Sequence, residues 1–157
     1  MGADITLLNE HTSGGEAVAD ILVRYTPDLK GCTIEGAIIP TLIDEIPIIA
    51  ILAAFAQGTT TIRNAEELKV KESNRLDIVV HHLRAMGADI TGTDDGMVIR
   101  GGRPLHGAVL DSFLDHRIAM SFAIASLMTE GTLTIEHADC VNISYPAFYQ
   151  DLLRLSE

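Results

Sequence analysis

Arg63, Lys69, Lys71 and Arg75 place four of the eleven basic residues of this chain between positions 63 and 75. Such a cluster could neutralise a small anion, a phosphate or a carboxylate, for which guanidinium groups offer paired donors. The segment joins a strand-like run to a helix-like run, and junctions of that kind are where anion sites are built. If the chain is extended around Val70, Lys69 and Lys71 share one side. Ser73 or Asn74 suits the N-cap of the next helix, which puts Arg75 in its first turn, where a cation works against the helix dipole. An anionic ligand in front of Arg75 would offset that cost; a solvated loop of Glu–Lys pairs is the alternative. Two other helix beginnings carry chemistry. In Leu42-Ile43-Asp44-Glu45-Ile46-Pro47, Asp44 stands before an apolar helix with Pro47 in its first turn, as a cap or as an acid shown to a ligand. Asp115-His116-Arg117 opens a second apolar helix, with Asp115 as its cap and two groups, His116 and Arg117, that the dipole disfavours.

An internal repeat positions these residues. Met86-Gly87-Ala88-Asp89-Ile90-Thr91 repeats Met1-Gly2-Ala3-Asp4-Ile5-Thr6 at an offset of 85, and Gly131-Thr132-Leu133-Thr134-Ile135 echoes Gly58-Thr59-Thr60-Thr61-Ile62 at 73. The copies run roughly over residues 1–66 and 86–139. Before each Gly-Thr lies an Ala-rich apolar stretch, Ile46–Ala56 and Ile118–Met128, read as buried helices closed by Gly58 and Gly131. The threonine-rich pieces after them are strands, and Leu76 to Met86 is an amphipathic helix stopped by Gly87. Ala88–Thr91 is a strand, Asp94-Asp95-Gly96 a hairpin turn into Met97–Arg100, and Cys32–Ile34 and Ala108–Leu110 are candidates for a further short strand. This alternation predicts layered sheet-and-helix packing. The offset of 73 sets Arg117 opposite Asp44, so if the two copies pack as related units, both helix entrances converge on one place. The helix that ends at Met86 has no counterpart before Met1, from which we expect a piece of a longer protein.

Composition limits the function classes. A net charge of −11 and only 4% aromatic residues oppose broad binding to nucleic acid or anionic membrane. The longest apolar run, Ile46–Ala56, is about half the roughly 20 residues of a membrane span. Two cysteines, Cys32 and Cys140, make no disulfide framework, and no basic-then-apolar leader opens the chain, so a reducing, cytoplasmic setting is expected. His81 and His82 diverge by about 100° on a helix and cannot chelate one metal. His82 reads as a satisfied core or boundary residue, and His11, His106 and His137 as turn residues without ligand spacing. There is no dinucleotide, Walker or zinc pattern.

Glu67-Leu68-Lys69-Val70-Lys71-Glu72-Ser73-Asn74-Arg75, Leu42–Pro47, Gly58-Thr59-Thr60 and Asp115-His116-Arg117-Ile118-Ala119-Met120 together resemble the 5-enolpyruvylshikimate-3-phosphate (EPSP) synthase family, over essentially the whole chain and as its C-terminal third. The resemblance implies an α+β fold of βαβαββ units, the inside-out α/β barrel of enolpyruvyl transferases, with about two units of one incomplete domain in residues 1–157. It implies transfer of the enolpyruvyl group of phosphoenolpyruvate to the 5-hydroxyl of shikimate 3-phosphate, a step of aromatic amino acid biosynthesis, without cofactor or metal. Asp44 would contact shikimate and accept its proton, Glu72 would protonate the methylene carbon, and Lys71 would bind shikimate 3-phosphate. Arg75 and Arg117 would clamp phosphoenolpyruvate, supported by His116. Glu67 stands where some members carry a substrate-contacting Asn. Asn74 replaces a usual Asp, a mild change. Cys140–Pro146 lacks the Lys with which some members touch phosphoenolpyruvate, which resembles another subgroup of the family and leaves sensitivity to the inhibitor glyphosate open. The remaining contacts would come from an N-terminal domain, so this chain alone should be inert, and dimerisation could hide its uncovered cleft wall. The alternatives are the related transferase acting on UDP-N-acetylglucosamine and a non-catalytic anion-binding fragment.

Overall fold

The computed structural model describes residues 1–156. Strands β1 (Asp4–Ser13) and β2 (Glu16–Arg24) form an antiparallel hairpin that turns at Gly14-Gly15. Next come β3 (Thr33–Ile34), the short helix α1 (Ile39–Leu42), a 3₁₀ turn at Ile43–Glu45, helix α2 (Ile46–Phe55) and β4 (Thr59–Ile62). Then follow α3 (Arg75–Ala85), β5 (Asp89–Gly92), β6 (Met97–Arg100), β7 (Val109–Asp111), α4 (His116–Ser126), β8 (Thr134–Glu136) and α5 (Phe148–Ser156). From β3 to β6 the order reads β-α-β-α-β-β. Those four strands form one sheet, β3-β4-β6-β5, in which β3 and β4 run parallel and the rest antiparallel. Strands β7 and β8 repeat the parallel pair around α4.

The repeat reaches the level of register. Asp4 lies opposite Arg24 in the first hairpin and Asp89 opposite Arg100 in the second, each as an ion pair (3.7 and 3.4 Å). One apolar core holds the layers together: Ile46, Ala50 and Ala54 of α2, Leu76, Val79 and Leu83 of α3, and Ile118 and Phe122 of α4 close over Ile62, Ile90, Met97 and Ile99 of the sheet. Small residues let α2 approach closely. A Cβ on Gly101, just past β6, would sit 2.1–2.2 Å from the carbonyl oxygens of Ala56 and Ala53. Helix α3 ends as expected: Gly87 takes φ +92°, its N–H bonds to Arg84 O, and the Ala88 N–H reaches Leu83 O.

Several expectations need correction. Helix α2 stops at Phe55 because Ala56 turns extended, and α4 stops at Ser126, so Gly58 and Gly131 shape the turns into β4 and β8 and do not close the helices. The 66–70 segment is a 3₁₀ turn, not extended chain; buried Leu68 pins it to the core. His11 lies within β1, not in a turn. The continuous helical run Gly36–Phe55, 20 residues long, is apolar enough by length and composition to cross a membrane, although its longest apolar stretch is shorter. Here it carries Asp44 and Glu45 midway and buries Ile39, Ile46, Ala50 and Ala54 in the core.

Candidate active site

Three helix beginnings converge at one edge of the core: Asp44 stands before α2, Arg75 begins α3, and Asp115 and Arg117 open α4, with Lys71 and Glu72 in the segment leading into α3. The carboxylate of Asp44, in the turn before α2, receives Arg75 Nη1 at 2.9 Å, with Lys71 Nζ at 3.6 Å and Arg117 Nη2 at 3.9 Å. Arg117 also donates to the Asp44 carbonyl oxygen (3.1 Å) and to Glu45 (2.8 Å), which joins the start of α4 to the start of α2 as the offset of 73 predicts. Arg75 Nη2 donates to Glu72 at 2.6 Å, and Lys71 Nζ meets Glu67 at 2.6 Å. Beside this group an open cavity of about 170 Å³ runs over Ile48, Met120 and Ile124.

Burial divides the cluster into two zones. The side chains of Arg75 and Asp115 are 1% and 0% exposed, whereas those of Asp44 and Glu72 are 44% and 60% exposed. Asp115 caps α4 by accepting the backbone N–H groups of Arg117 (3.0 Å) and Ile118 (3.5 Å). It also accepts Arg75 Nε at 2.7 Å and the Ser73 hydroxyl at 2.8 Å. Burial opposes the charge on Arg75, but the hydrogen bond and charge of Asp115, with Glu72 and Asp44, hold the guanidinium above its usual pKa. The same balance keeps Asp115 below the usual carboxylate range: desolvation pushes it up, and Arg75 and Ser73 more than offset it. Glu67 raises the Lys71 ammonium through its hydrogen bond, partly countered by desolvation.

The approach to Asp115 is fixed by an unusual turn. Phe113 and Leu114 take φ +51° and +59°, a conformation that costs non-glycine residues about 1 kcal/mol or more each. Asp111 Oδ1 accepts the Phe113 N–H (2.7 Å) and Ser112 Oγ the Leu114 N–H (3.2 Å). Asp111 is steadied in turn by His137 Nδ1 at 2.9 Å, a carboxylate partner the sequence reading did not assign.

Several local readings of these residues need correction. Asp44 is no cap, since Glu45 precedes α2 without a side-chain cap bond, and its carboxylate is engaged by cations. Asn74 caps α3 by accepting the Asp77 N–H. Arg75 is opposed by Asp115, 40 residues away, so its place in the first turn needs no ligand to explain it. Arg63 pairs with Glu35 and Lys69 with the Asp94 carbonyl, so half of the basic segment holds the loop. His116 begins α4 half-buried. His82 is only half satisfied: Nε2 contacts the Asp111 carbonyl (2.7 Å), and Nδ1 has no partner among the described residues. The signals that were missed, Asp115 as a hub and Ser73 as its donor, lie in tertiary pairing. Among the described residues no group of three His, Cys, Asp or Glu side chains is placed to hold a metal ion.

Residues 1–152 match the family model described as EPSP synthase (3-phosphoshikimate 1-carboxyvinyltransferase). The 3-phosphoshikimate 1-carboxyvinyltransferase of Oceanobacillus iheyensis is 57% identical over 152 residues, 97% of this chain and 35% of the relative. That of Thermoanaerobacter sp. is 56% identical over 150 residues, 96% of this chain and again 35% of the relative. The chain therefore spans about a third of the length of the curated relatives it matches. A solved EPSP synthase from Acinetobacter baumannii superposes with a TM-score of 0.93 at 42% identity, over 98% of this chain and 36% of that one. The enolpyruvyl transferase NikO from Streptomyces tendae shares the fold, with a TM-score of 0.66 at 23% identity over 96% of this chain and 32% of that one. With residues 1–152 covered by one family model and relatives more than half identical along nearly the whole chain, the chain belongs to the EPSP synthase family.

Proposed function

We propose that this chain forms part of an enzyme that transfers the enolpyruvyl group of phosphoenolpyruvate to the 5-hydroxyl of shikimate 3-phosphate, in the cytoplasm, with a further domain supplying the other contacts. The observation that carries the reading is the convergence of Lys71, Arg75 and Arg117 on Asp44, with Glu72 flanking the same guanidinium. Two polyanionic substrates need cations at their phosphates and carboxylates, and the chemistry needs one proton donor and one acceptor. Asp44 removes the proton of the 5-hydroxyl as its oxygen bonds to C2 of phosphoenolpyruvate, and Glu72 delivers a proton to the methylene carbon. In the second half Glu72 takes a proton back from the new methyl group. The double bond re-forms, the C–O bond to phosphate breaks, and Asp44 returns its proton to the leaving phosphate. Arg75, Arg117 and His116 hold phosphoenolpyruvate, and Lys71 holds shikimate 3-phosphate.

Thermal unfolding with added ligand tests this. Saturation one hundredfold above Kd stabilises by about 2.7 kcal/mol. Shikimate 3-phosphate should raise the unfolding midpoint of the chain, UDP-N-acetylglucosamine should not, and Lys71→Ala should abolish the shift. The reading fails if shikimate 3-phosphate has no effect, or if Lys71→Ala responds as the unsubstituted chain does. The isolated chain should show no turnover; activity above that of an Asp44→Ala, Lys71→Ala double variant refutes the need for a further domain.

A further inference from the structure

Lys71, Arg75 and Arg117 face Asp44, Glu45, Glu67, Glu72 and Asp115, so the cluster holds more carboxylates than cations and an arriving anion must displace some of them. We propose that Asp115 is the positioning residue of the site: it anchors Arg75 by its inner edge, and an anionic carboxylate or phosphate group exchanges for Asp44 and Glu72 at the outer edge. This inference rests on the anion-binding part of the function proposed above.

The guanidinium is divided between its two sides. Nε (2.7 Å) and Nη2 (3.3 Å) point at Asp115, while Nη1 meets Asp44 and Nη2 also reaches Glu72. Breaking the inner pair would leave a charge stranded in the core, whereas Asp44 and Glu72 regain water when they let go. Asp115 cannot swing away, since Ser73 and the amides of Arg117 and Ile118 also hold it. One carboxylate thus fixes the start of α3 to the start of α4, and with them the spacing of Arg75 and Arg117. The exchange has a chemical consequence: an anion that takes over the outer edge of Arg75 frees Asp44 and Glu72, the two groups assigned to proton transfer. Substrate arrival and release of the acid and base become one event.

Solvent exchange of the Arg75 Nε–H, followed by NMR in the 157-residue chain, tests the anchor. Asp115→Asn keeps an oxygen for the α4 amides, because Asn caps as well as Asp, but withdraws the charge from Arg75. It should speed Nε–H exchange by about tenfold or more while the Arg117 amide stays protected. Asp44→Asn and Glu72→Gln should leave Nε–H exchange within about threefold of the parent. Fast exchange in either outer variant, or unchanged exchange in Asp115→Asn, overturns the proposal; if Asp115→Asn does not fold, the two outer variants decide it. With phosphoenolpyruvate added, the Nε–H should remain slow while the carboxyl carbons of Asp44 and Glu72 shift, and loss of Nε–H protection overturns the exchange. Correct protection without any response to phosphoenolpyruvate leaves the anchor standing and fails the functional reading.

Discussion

Replacing Arg75 by Met removes the cation and keeps much of the side-chain volume. The Asp115 carboxylate, 0% exposed, then retains only the Ser73 hydroxyl and two backbone amides as partners. Losing one member of a buried pair costs about 3–5 kcal/mol, most of it from the charge left behind. A domain of this size has about 5–15 kcal/mol of stability, so the loss should be plain in urea unfolding followed by circular dichroism. If the stranded charge is the cause, neutralising it should rescue the fold. The double variant Arg75→Met, Asp115→Asn leaves an amide that still caps α4, and should recover about 2–3 kcal/mol relative to Arg75→Met alone. Glu67→Gln, at an exposed partner of Lys71, should change stability by no more than about 1 kcal/mol. Two results refute this reasoning: a double variant that falls to the sum of the two single losses, or an Arg75→Met loss no larger than that of Glu67→Gln.

Burial holds the His82 pKa below its usual value despite the bond to the Asp111 carbonyl, so the folded chain keeps the ring neutral. That contribution is full above the unfolded-state pKa of about 6.5 and is lost as pH falls through the lower folded value. Asp111 raises the pKa of His137, whose contribution runs the other way: full below about pH 6.5 and lost as pH rises through its folded value. Unfolding midpoints measured from neutral to mildly acidic pH should therefore decline less in His82→Gln and more in His137→Gln; a His82→Gln profile identical to the parent's would contradict the assignment. Gly101→Ala drives a Cβ into the carbonyl oxygens of Ala53 in α2 and of Ala56 just past it and should cost about 3 kcal/mol or more, against about 1 for Gly14→Ala, whose Cβ meets nothing within 4 Å among the described residues. Urea midpoints of the two variants decide this, and equal losses would show that α2 yields. Asn74→Asp improves the charge at the start of α3 but sets two acids together where Nδ2 now donates to Asp77 at 2.8 Å, so its stability should stay within about 0.5 kcal/mol of the parent.

The α+β architecture was legible because its elements have strong local signatures. Helix α3 carries an apolar stripe and a glycine stop, and the Asp94-Asp95-Gly96 turn sets β6 against β5. The convergence of Asp44 and Arg117 was legible for a different reason: an internal repeat converts sequence offset into spatial equivalence, so 73 residues of separation became one contact. Extents fared worse. Nothing local marks the ends of α2 and α4, because uniformly apolar Ala-rich segments lose their boundary to packing, and the 3₁₀ turn at 66–70 forms because the core captures Leu68.

Charge compensation was the part that local reasoning could not reach. A cation in the first turn of a helix is unfavourable by a few tenths to about 1 kcal/mol, and the sequence alone offers either an anionic ligand or a solvated loop of Glu–Lys pairs to accommodate Arg75. The fold answers it with Asp115, a residue whose sequence position marks it only as the cap of another helix. Both descriptions hold, because a carboxylate has enough lone pairs to cap α4 with one oxygen and grip Arg75 with the other. The proposed exchange would also make the net charge of −11 compatible with binding a small anion. Lys71, Arg75 and Arg117 are already matched within the chain, and under the proposal it is the exposed members of those pairs, Asp44 and Glu72, that an anion would replace. A site left with bare cations would attract anions more strongly, but it would lack the proposed coupling between arrival of the anion and release of Asp44 and Glu72.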